Sequence, residues 1–433
     1  MGLLVAASVS IPLCATEPIR RTVTLEELYE IAETSALRLR PAACDEEEAR
    51  RALSEARAAR LPDIGVTASV GYIADGFTTD RSFGDYSRAP IPHLSNGLSF
   101  SISQPVYAGG AIAARIDLAR IGTDAARLSA ELERDNLRMD LTEWYLDLYK
   151  YRNLRRVVES NIRQARKVLT DIEARYAQGL VLRNDITRYE LLVSDLELRL
   201  IRINNLTDII NDRLVTVTGL PENTVIIPDS TIIGRMPDAA AAEQWWQAEA
   251  ADNAPSLRLA RTRVEQSLAS ERAARSERMP HVDIRAGWTI DGPILVEVPP
   301  INRNLSYWFV GVGISYNLSS LYKANRTIRR TRAATRAAVD RSDVAAQNVS
   351  LAVSADHIRY TEALDELLTR EKSVELARRN YDTVSRRYAE GMALITDMLD
   401  ASSSQLDAEQ RLVNARINVI YYYYRLLYTS GKI

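Results

Sequence analysis

The chain has 433 residues, 46% of them apolar, enough for two or three ordinary domains with a sizeable core. A formal net charge of -2 removes any broad electrostatic case for nucleic acid as a partner, and Cys14 and Cys44 are too few for a disulfide scaffold and wrongly spaced for a thiolate metal site. Histidines stand only at 93, 281 and 357, in no metal-ligand spacing, and neither a serine elbow nor a phosphate-cradling glycine loop is present, so no residue pattern points to an enzyme or a cofactor.

The first residues, MGLLVAASVSIPLCATEP, form an apolar run with small residues near Ala15, like the hydrophobic part and cleavage end of a secretory signal over 1–15. The basic start of such signals is missing, which leaves a longer signal or a buried helix as alternatives. Cys14 as a lipidated cysteine is disfavoured by Pro12 and Leu13, which stand where small residues belong. No later segment offers the ~20 consecutive apolar residues of a membrane-spanning helix.

From residue 22 the chain reads as two copies of one unit at an offset of 212 residues. ARYAQGLVLRNDITRYELLVSDLELRL aligns with RRYAEGMALITDMLDASSSQLDAEQRL, placing Arg175, Tyr176, Ala177, Gly179 and Asp185 on Arg387, Tyr388, Ala389, Gly391 and Asp397. In the first copy, 22–220, Thr24 caps a helix over 25–60, and strands at 64–73 and 98–107 follow. A long helix over 109–174, a tip at 175–184 and a return helix over 185–217 complete it. A linker over 221–251 leads to the second copy, 252–433. That copy has a helix over 255–278, strands at 282–290 and 310–318, a long helix over 321–386, a tip at 387–396 and a return helix over 397–428. At 1.5 Å per residue each long helix reaches about 100 Å, which suits a coiled coil or an elongated tube better than a compact globule. Each return helix is about half as long, and the opening helix stacked end to end on it supplies the rest.

All four strands alternate. Ile64, Val66, Ala68, Val70 and Tyr72 oppose Gly65, Thr67, Ser69 and Gly71, and Leu98, Phe100, Ile102 and Val106 oppose Ser99, Ser101 and Ser103. Val282, Ile284, Ala286, Trp288 and Ile290 oppose Asp283, Arg285, Gly287 and Thr289, and Val310, Val312, Ile314 and Leu318 oppose Gly311, Gly313, Ser315 and Asn317. One apolar and one polar face result. A soluble sheet on a core and a transmembrane barrel both satisfy this pattern. In a barrel, Val66, Val70, Phe100, Ile102, Ile284, Trp288, Val312 and Ile314 face lipid, while Tyr72, Tyr307, Trp308 and Phe309 suit interfacial girdles. Four strands cannot close alone, so a barrel requires several chains.

The ARAARLP and ERAARSERMP ends before the odd strands, SQPVYAGG where the second strand enters a long helix, RYAQG and RYAEG at the bends, and LDAEQRLVNARIN in the last helix resemble the bacterial outer membrane efflux proteins, the TolC-like channel-tunnels. The resemblance covers about residues 22–430. It implies an all-α periplasmic helical barrel joined to a transmembrane β-barrel, twelve-stranded in a homotrimer, with Asp75 to Asn96 and Asp291 to Asn304 in or near external loops. The protein would be a passive outer membrane conduit in a Gram-negative bacterium, serving tripartite efflux or type I secretion. Its partners would be outer membrane lipid, a periplasmic adaptor and an inner membrane pump. The competing class is a periplasmic coiled-coil adaptor or structural spacer, which would leave the duplication and the lipid-like strands unexplained.

The resemblance places the bends at the periplasmic tips. There Gly179 and Gly391 permit the reversal, and Leu180, Val181 and Leu182, with Met392, Ala393 and Leu394, would meet the adaptor. It also places Asp397 and Asp400 at the narrowest point. Three copies would make carboxylate rings able to concentrate cations, exclude anions and bind multivalent cations. The plain alternative makes both ordinary capping or solvated helix residues. Tyr388 and Arg387 join the candidate gate through family ties of an aromatic hydroxyl and basic partners. Position 393 departs from the family pattern, having alanine where an arginine would form salt bridges, for which Arg183 or Arg188 are candidate substitutes.

Overall fold

The computed structural model describes residues 19–229, 231, 242–297 and 299–433, so the expected signal segment and Cys14 lie outside the described residues. The described residues fall into two compact units. One draws on the described residues up to Ala43, within Ser129–Arg258 and within Ala345–Ile433, the other on those of Cys44–Leu128 and Leu259–Val344. Neither unit is one of the sequence copies. Each copy contributes to both units, through helices whose residues are divided between them.

In the first unit, strand β1 (Ile19–Val23) leads into helix α1 (Leu25–Ser35). Thr24 Oγ1 accepts from Glu27 N–H at 3.2 Å and Glu27 returns the bond to Thr24 N–H at 3.0 Å, a reciprocal cap. The expected single helix over 25–60 is broken here, with α2 (Leu39–Ala58) starting anew. Pro41 is the cause: in a continuous helix it would have no N–H for the Leu37 carbonyl and its ring would press on that carbonyl, whereas in a first turn neither cost arises.

Helix α3 (Ala111–Ala177), α4 (Arg183–Thr218), strand β6 (Thr224–Pro228) and α5 (Glu243–Asn253) come next. β6 pairs in parallel with β1. The Asn211 amide fixes β6, donating to Thr224 O and accepting from Ile226 N–H, both at 2.8 Å. Tyr145 fixes β1, its hydroxyl donating to Val23 O at 2.9 Å and accepting from Asp229 N–H at 2.8 Å. Leu25, Leu28, Tyr145, Leu214 and Ile226 bury their side chains around this small sheet, each contributing roughly 1.5–3 kcal/mol.

In the second copy, helix α7 (Ser320–Ala389) goes out and α8 (Ile395–Ser430) returns. Trp246 of α5 is buried among Tyr360 of α7 and Val419 and Leu426 of α8. The adjacent Trp245 is half-exposed, with Lys432 Nζ 4.6 Å from its ring. The run Tyr421 to Tyr424 serves several neighbours: Tyr423 approaches Trp246 and Tyr360, while Tyr424 packs on the cluster around Tyr145. Where α3, α4, α7 and α8 converge, a further core includes Ile172, Tyr189, Tyr388 and Met398.

The second unit holds most of α2 and of α6 (Pro255–Ser276), parts of α3 and α7, and the main sheet. Its buried helical residues are mostly small, among them Ala56, Ala114, Ala269, Ala274 and Ala324, which lets helices approach closely. β2 (Asp63–Tyr72), β5 (Leu94–Tyr107), β7 (His281–Gly292) and β8 (Leu305–Ser315) form an antiparallel sheet in the order β2-β5-β7-β8. A minor hairpin, β3 (Gly76–Thr78) with β4 (Ser87–Ala89), fills the loop after β2, its base held by the Asp75–Arg88 ion pair. The fourth strand was expected over 310–318 and lies earlier. Its first residues, Leu305 to Phe309, hide in sequence because three consecutive aromatics interrupt the alternation.

Candidate functional site

Two places carry function-bearing patterns: the main sheet and the helix tips. In the sheet, register aligns the apolar residues of all four strands on one face. Val66, Phe100, Trp288 and Trp308 form one cross-strand row, Ile64, Ile102, Ala286 and Val310 the next, and Ile284 with Val312 and Val282 with Ile314 continue it. Val66, Val70, Phe100, Ile284, Trp288, Val312 and Ile314 are exposed and Ile102 is half-buried. The Trp288 indole N–H donates to Ser306 Oγ at 3.0 Å, so even this large side chain has its polar end satisfied within the sheet.

The other face carries Gly65, Ser101 and Gly287 in one row, Thr67, Ser99 and Thr289 in another, and the Asp283–Arg285 ion pair. Tyr307 and Phe309 also project from this polar face, so they do not join Trp308 in an apolar girdle. Residue parity decides it: Val310 and Val312 fix the even positions of β8 to the apolar side. The Phe309 ring occupies the space a Cβ on Gly287 would need, 2.8 Å from that position. A soluble sheet would cover one face with its own core. Here every residue of β2 is exposed, and the outer strands β2 and β8 have no partner on their far edges among the described residues. No helix among the described residues is long and apolar enough to cross a membrane.

At the tips the two copies fold alike. α3 ends with Gly179 at φ 74° and α7 with Gly391 at φ 75°. Leu180 N–H reaches Arg175 O at 3.0 Å and Gly179 N–H reaches Tyr176 O at 2.8 Å, and Met392 and Gly391 repeat the pattern on Arg387 O and Tyr388 O. This is the Schellman ending, which needs a residue free to adopt a left-handed conformation. A Cβ on either glycine would meet nothing within 4 Å, so backbone angle and not crowding selects glycine.

Leu180, Leu182, Met392 and Leu394 are then 58 to 72% exposed. Leu180, Val181, Leu182, Gly391, Ala393 and Leu394 line a cleft of about 670 Å³ together with Tyr388 and Arg188, while Gly179 and Met392 stand outside it. Asp185 and Asp397 play matching parts. Each carboxylate accepts the backbone N–H three residues earlier, Leu182 at 3.2 Å and Leu394 at 3.1 Å, at the positive end of its helix. Asp397 thus caps its helix. Asp400, one turn on, is likewise exposed, on the side of α8 away from the buried Ile395, Met398 and Ala401.

Tyr388 is buried, which raises its phenol above the ordinary value, and its hydroxyl has no hydrogen-bond partner among the described residues. Arg175 covers its ring, with the guanidinium carbon 5.3 Å from the centroid. Arg175 also donates to Tyr388 O at 3.2 Å and Ala389 O at 2.7 Å, tying the end of α7 to the end of α3. Its position in the duplicated RYA signature is the only sign of this in sequence, because the carbonyls it binds lie more than two hundred residues away. Arg387, the equivalent residue, is exposed.

The profile of the outer membrane efflux protein family matches residues 28–220 and 246–426. The pyoverdine export outer membrane protein OpmQ of Pseudomonas putida is 26% identical over 237 residues, 51% of this chain and 50% of that protein, so the chain spans about half the length of this curated relative. Among solved structures, the outer membrane protein VceC of Vibrio cholerae superposes with a TM-score of 0.77 at 18% identity, covering 94% of this chain and 96% of that one. A membrane protein of Pseudomonas aeruginosa gives 0.79 at 16% identity, covering 94% and 93%. These structures share the fold, and the profile covers most of both copies of the duplication: the chain belongs to the outer membrane efflux protein family.

Proposed function

We propose that three copies of this chain form a passive channel-tunnel, with a twelve-stranded barrel in the outer membrane and a helical tunnel reaching through the periplasm. An inner membrane pump would drive small molecules through it by way of a periplasmic adaptor. The observation carrying this reading is the main sheet, apolar on one exposed face, polar on the other and open at both edges. Unpaired edge groups cannot be left in lipid, where each costs several kcal/mol. The sheet must therefore close with other copies. Eight strands from two copies would leave an interior filled by side chains or one small ligand, and twelve from three copies, the number the family resemblance implies, leave a wider one. The exposed apolar tips support an adaptor contact. Asp397 and Asp400 support a cation-selective constriction, with Tyr388 and Arg387 beside it. The pyoverdine exporter among the relatives favours small molecules as cargo.

Single-channel conductance of the detergent-extracted protein in a planar bilayer, titrated with a trivalent cation, tests this. Discrete small conductances blocked by the cation are expected. A protein that extracts without detergent and conducts nothing would refute the channel and favour a periplasmic spacer.

A further inference from the structure

Helix α3 carries Arg152, Arg155 and Arg156 at i, i+3 and i+4, which sets all three on one side of the helix. Like charges so placed repel, and a carboxylate relieves only one of them: Arg155 pairs with Glu159 one turn on, at 2.8 Å. Arg156 is exposed and has no hydrogen-bond or ion-pair partner among the described residues. Arg152 is half-buried and donates to the Ile226 carbonyl of β6 at 3.3 Å, a bond to a neutral group that leaves its charge unpaired. A fourth arginine, Arg20, comes from β1, where it stands opposite Val225 of β6. Burial first, then Arg156, Arg155 and Arg20, hold the Arg152 guanidinium below its ordinary value.

The four arginines border open space. A cleft of about 440 Å³ is lined by Arg20, Arg152, Arg155 and Arg156 with Thr207 and Asn211, and a second, of about 250 Å³, lies against Thr22, Tyr149 and Asn153. The two clefts share Arg152, Arg156 and Ile227. Glu159 and Asp208 reach the first cleft and Asp229 the second, so in the first the arginines outnumber the carboxylates by four to two, and Glu159 is already taken by Arg155.

We propose that Arg152 and Arg156 bind a phosphate group in these clefts, with Arg20 as a third cation. The guanidinium fork matches two oxygens of a phosphate, and a phosphate has oxygens for more than one fork. It also brings roughly 1.5–2 negative charges at neutral pH, closer to the surplus here than the single charge of a carboxylate. The larger cleft has room beyond the phosphate itself, so free phosphate and a phosphate ester both fit. The site lies within one unit of one chain and stands apart from the oligomeric reading.

Isothermal titration calorimetry of the full chain in detergent, at an ionic strength held constant with sodium chloride, tests this with inorganic phosphate and glucose 6-phosphate as probes. Saturable binding of one anion per chain is expected. Tighter binding of glucose 6-phosphate assigns an ester that uses the rest of the cleft, and equal or weaker binding assigns free phosphate. Arg156→Gln should weaken binding on the order of tenfold, as loss of a charge-assisted hydrogen bond predicts, and Arg152→Gln should do the same. Arg21→Gln, which lines neither cleft, should bind as the unmodified protein does. Melting curves separate binding from folding. Without phosphate, Arg156→Gln should melt no lower than the unmodified protein, because it relieves repulsion along α3, and with phosphate it should gain less. Binding unchanged in both Arg152→Gln and Arg156→Gln, or a melting shift that sodium chloride alone reproduces, would overturn the site. Absence of saturable heat from either probe would also overturn it, and lower melting of Arg156→Gln in that case would mean that a carboxylate of another chain already occupies the arginines.

Discussion

At the scale of single residues, Asp397 and Asp400 separate two roles that sequence alone runs together. Both are exposed on one side of α8, three residues apart, but only Asp397 accepts a backbone N–H, from Leu394. Asp397→Ala should therefore cost roughly 0.3–1 kcal/mol of stability through the lost helix-end interaction, and Asp400→Ala should cost little. Thermal denaturation of the purified variants reads this difference. If both residues line the constriction, either substitution lowers cation selectivity and trivalent block in a bilayer, whatever its effect on stability. Unchanged selectivity in both would take them out of the pore and leave Asp397 as a cap. The tip glycines were legible in sequence because a left-handed backbone position leaves glycine as its signature. Arg175 was not, because its partners are backbone carbonyls, which no side-chain pattern announces.

At the scale of elements, the strands were legible to the extent that alternation is uninterrupted, since a period of two fixes the faces before any partner is known. β8 shows the limit: Tyr307, Trp308 and Phe309 conceal both its start and the assignment of Phe309 to the polar face. β1 and β6 were missed because each is five residues long and they are made strands by pairing across two hundred residues, not by their own pattern. The packing of Phe309 on Gly287 predicts an asymmetry. Gly287→Val meets the Phe309 ring and Phe100 O, whereas a Cβ at Gly311 meets nothing within 4 Å. Gly287→Val should lower barrel assembly in vesicles, and Gly311→Ala should assemble normally. Helix α3 offers a pH-dependent test. Burial raises Asp135 from the ordinary carboxylate value of 3.8 to about 6, against the pull of Arg138. Between these values the unfolded chain has already lost its proton while the folded one keeps it, so stability from this residue falls as pH rises through that window and stays reduced above it. Asp135→Asn should therefore gain on the order of 1–2 kcal/mol at pH 8 and nothing below about pH 4. Melting curves at the two pH values check it, and an equal gain at both would assign the effect to packing.

At the scale of the whole molecule, the described residues leave a line of exposed apolar side chains on each of two helices as well as two unpaired strand edges. On α4, Leu191, Leu198 and Ile209 are exposed and fall within about 20° of one line along the helix, and on α7 Leu351, Ile358 and Leu376 do the same. Both stripes belong to the unit that also holds the tips. Exposed polar residues share these lines, Arg202 on α4 and Glu362 and Thr369 on α7, and each lies on a helix whose other side is already packed in a core of its own chain. In the ring of copies proposed above, mutual covering of the two stripes, an α4 of one copy against an α7 of the next, is a testable arrangement. Ile358→Lys should then place a charge in that contact and lower the trimer fraction in detergent, by native mass spectrometry, as should Leu198→Lys from the other side. The double variant Leu198→Glu with Ile358→Lys should recover part of the assembly if the stripes meet. A lysine on the polar sheet face, as in Ser101→Lys, should leave assembly intact. Val312→Lys, on the apolar sheet face, should cost about 2–4 kcal/mol if that face meets lipid near the middle of the bilayer. Full trimer from both stripe variants, alongside failure of Val312→Lys to insert, would mean that the barrel alone holds the copies together and that the stripes are covered by another protein.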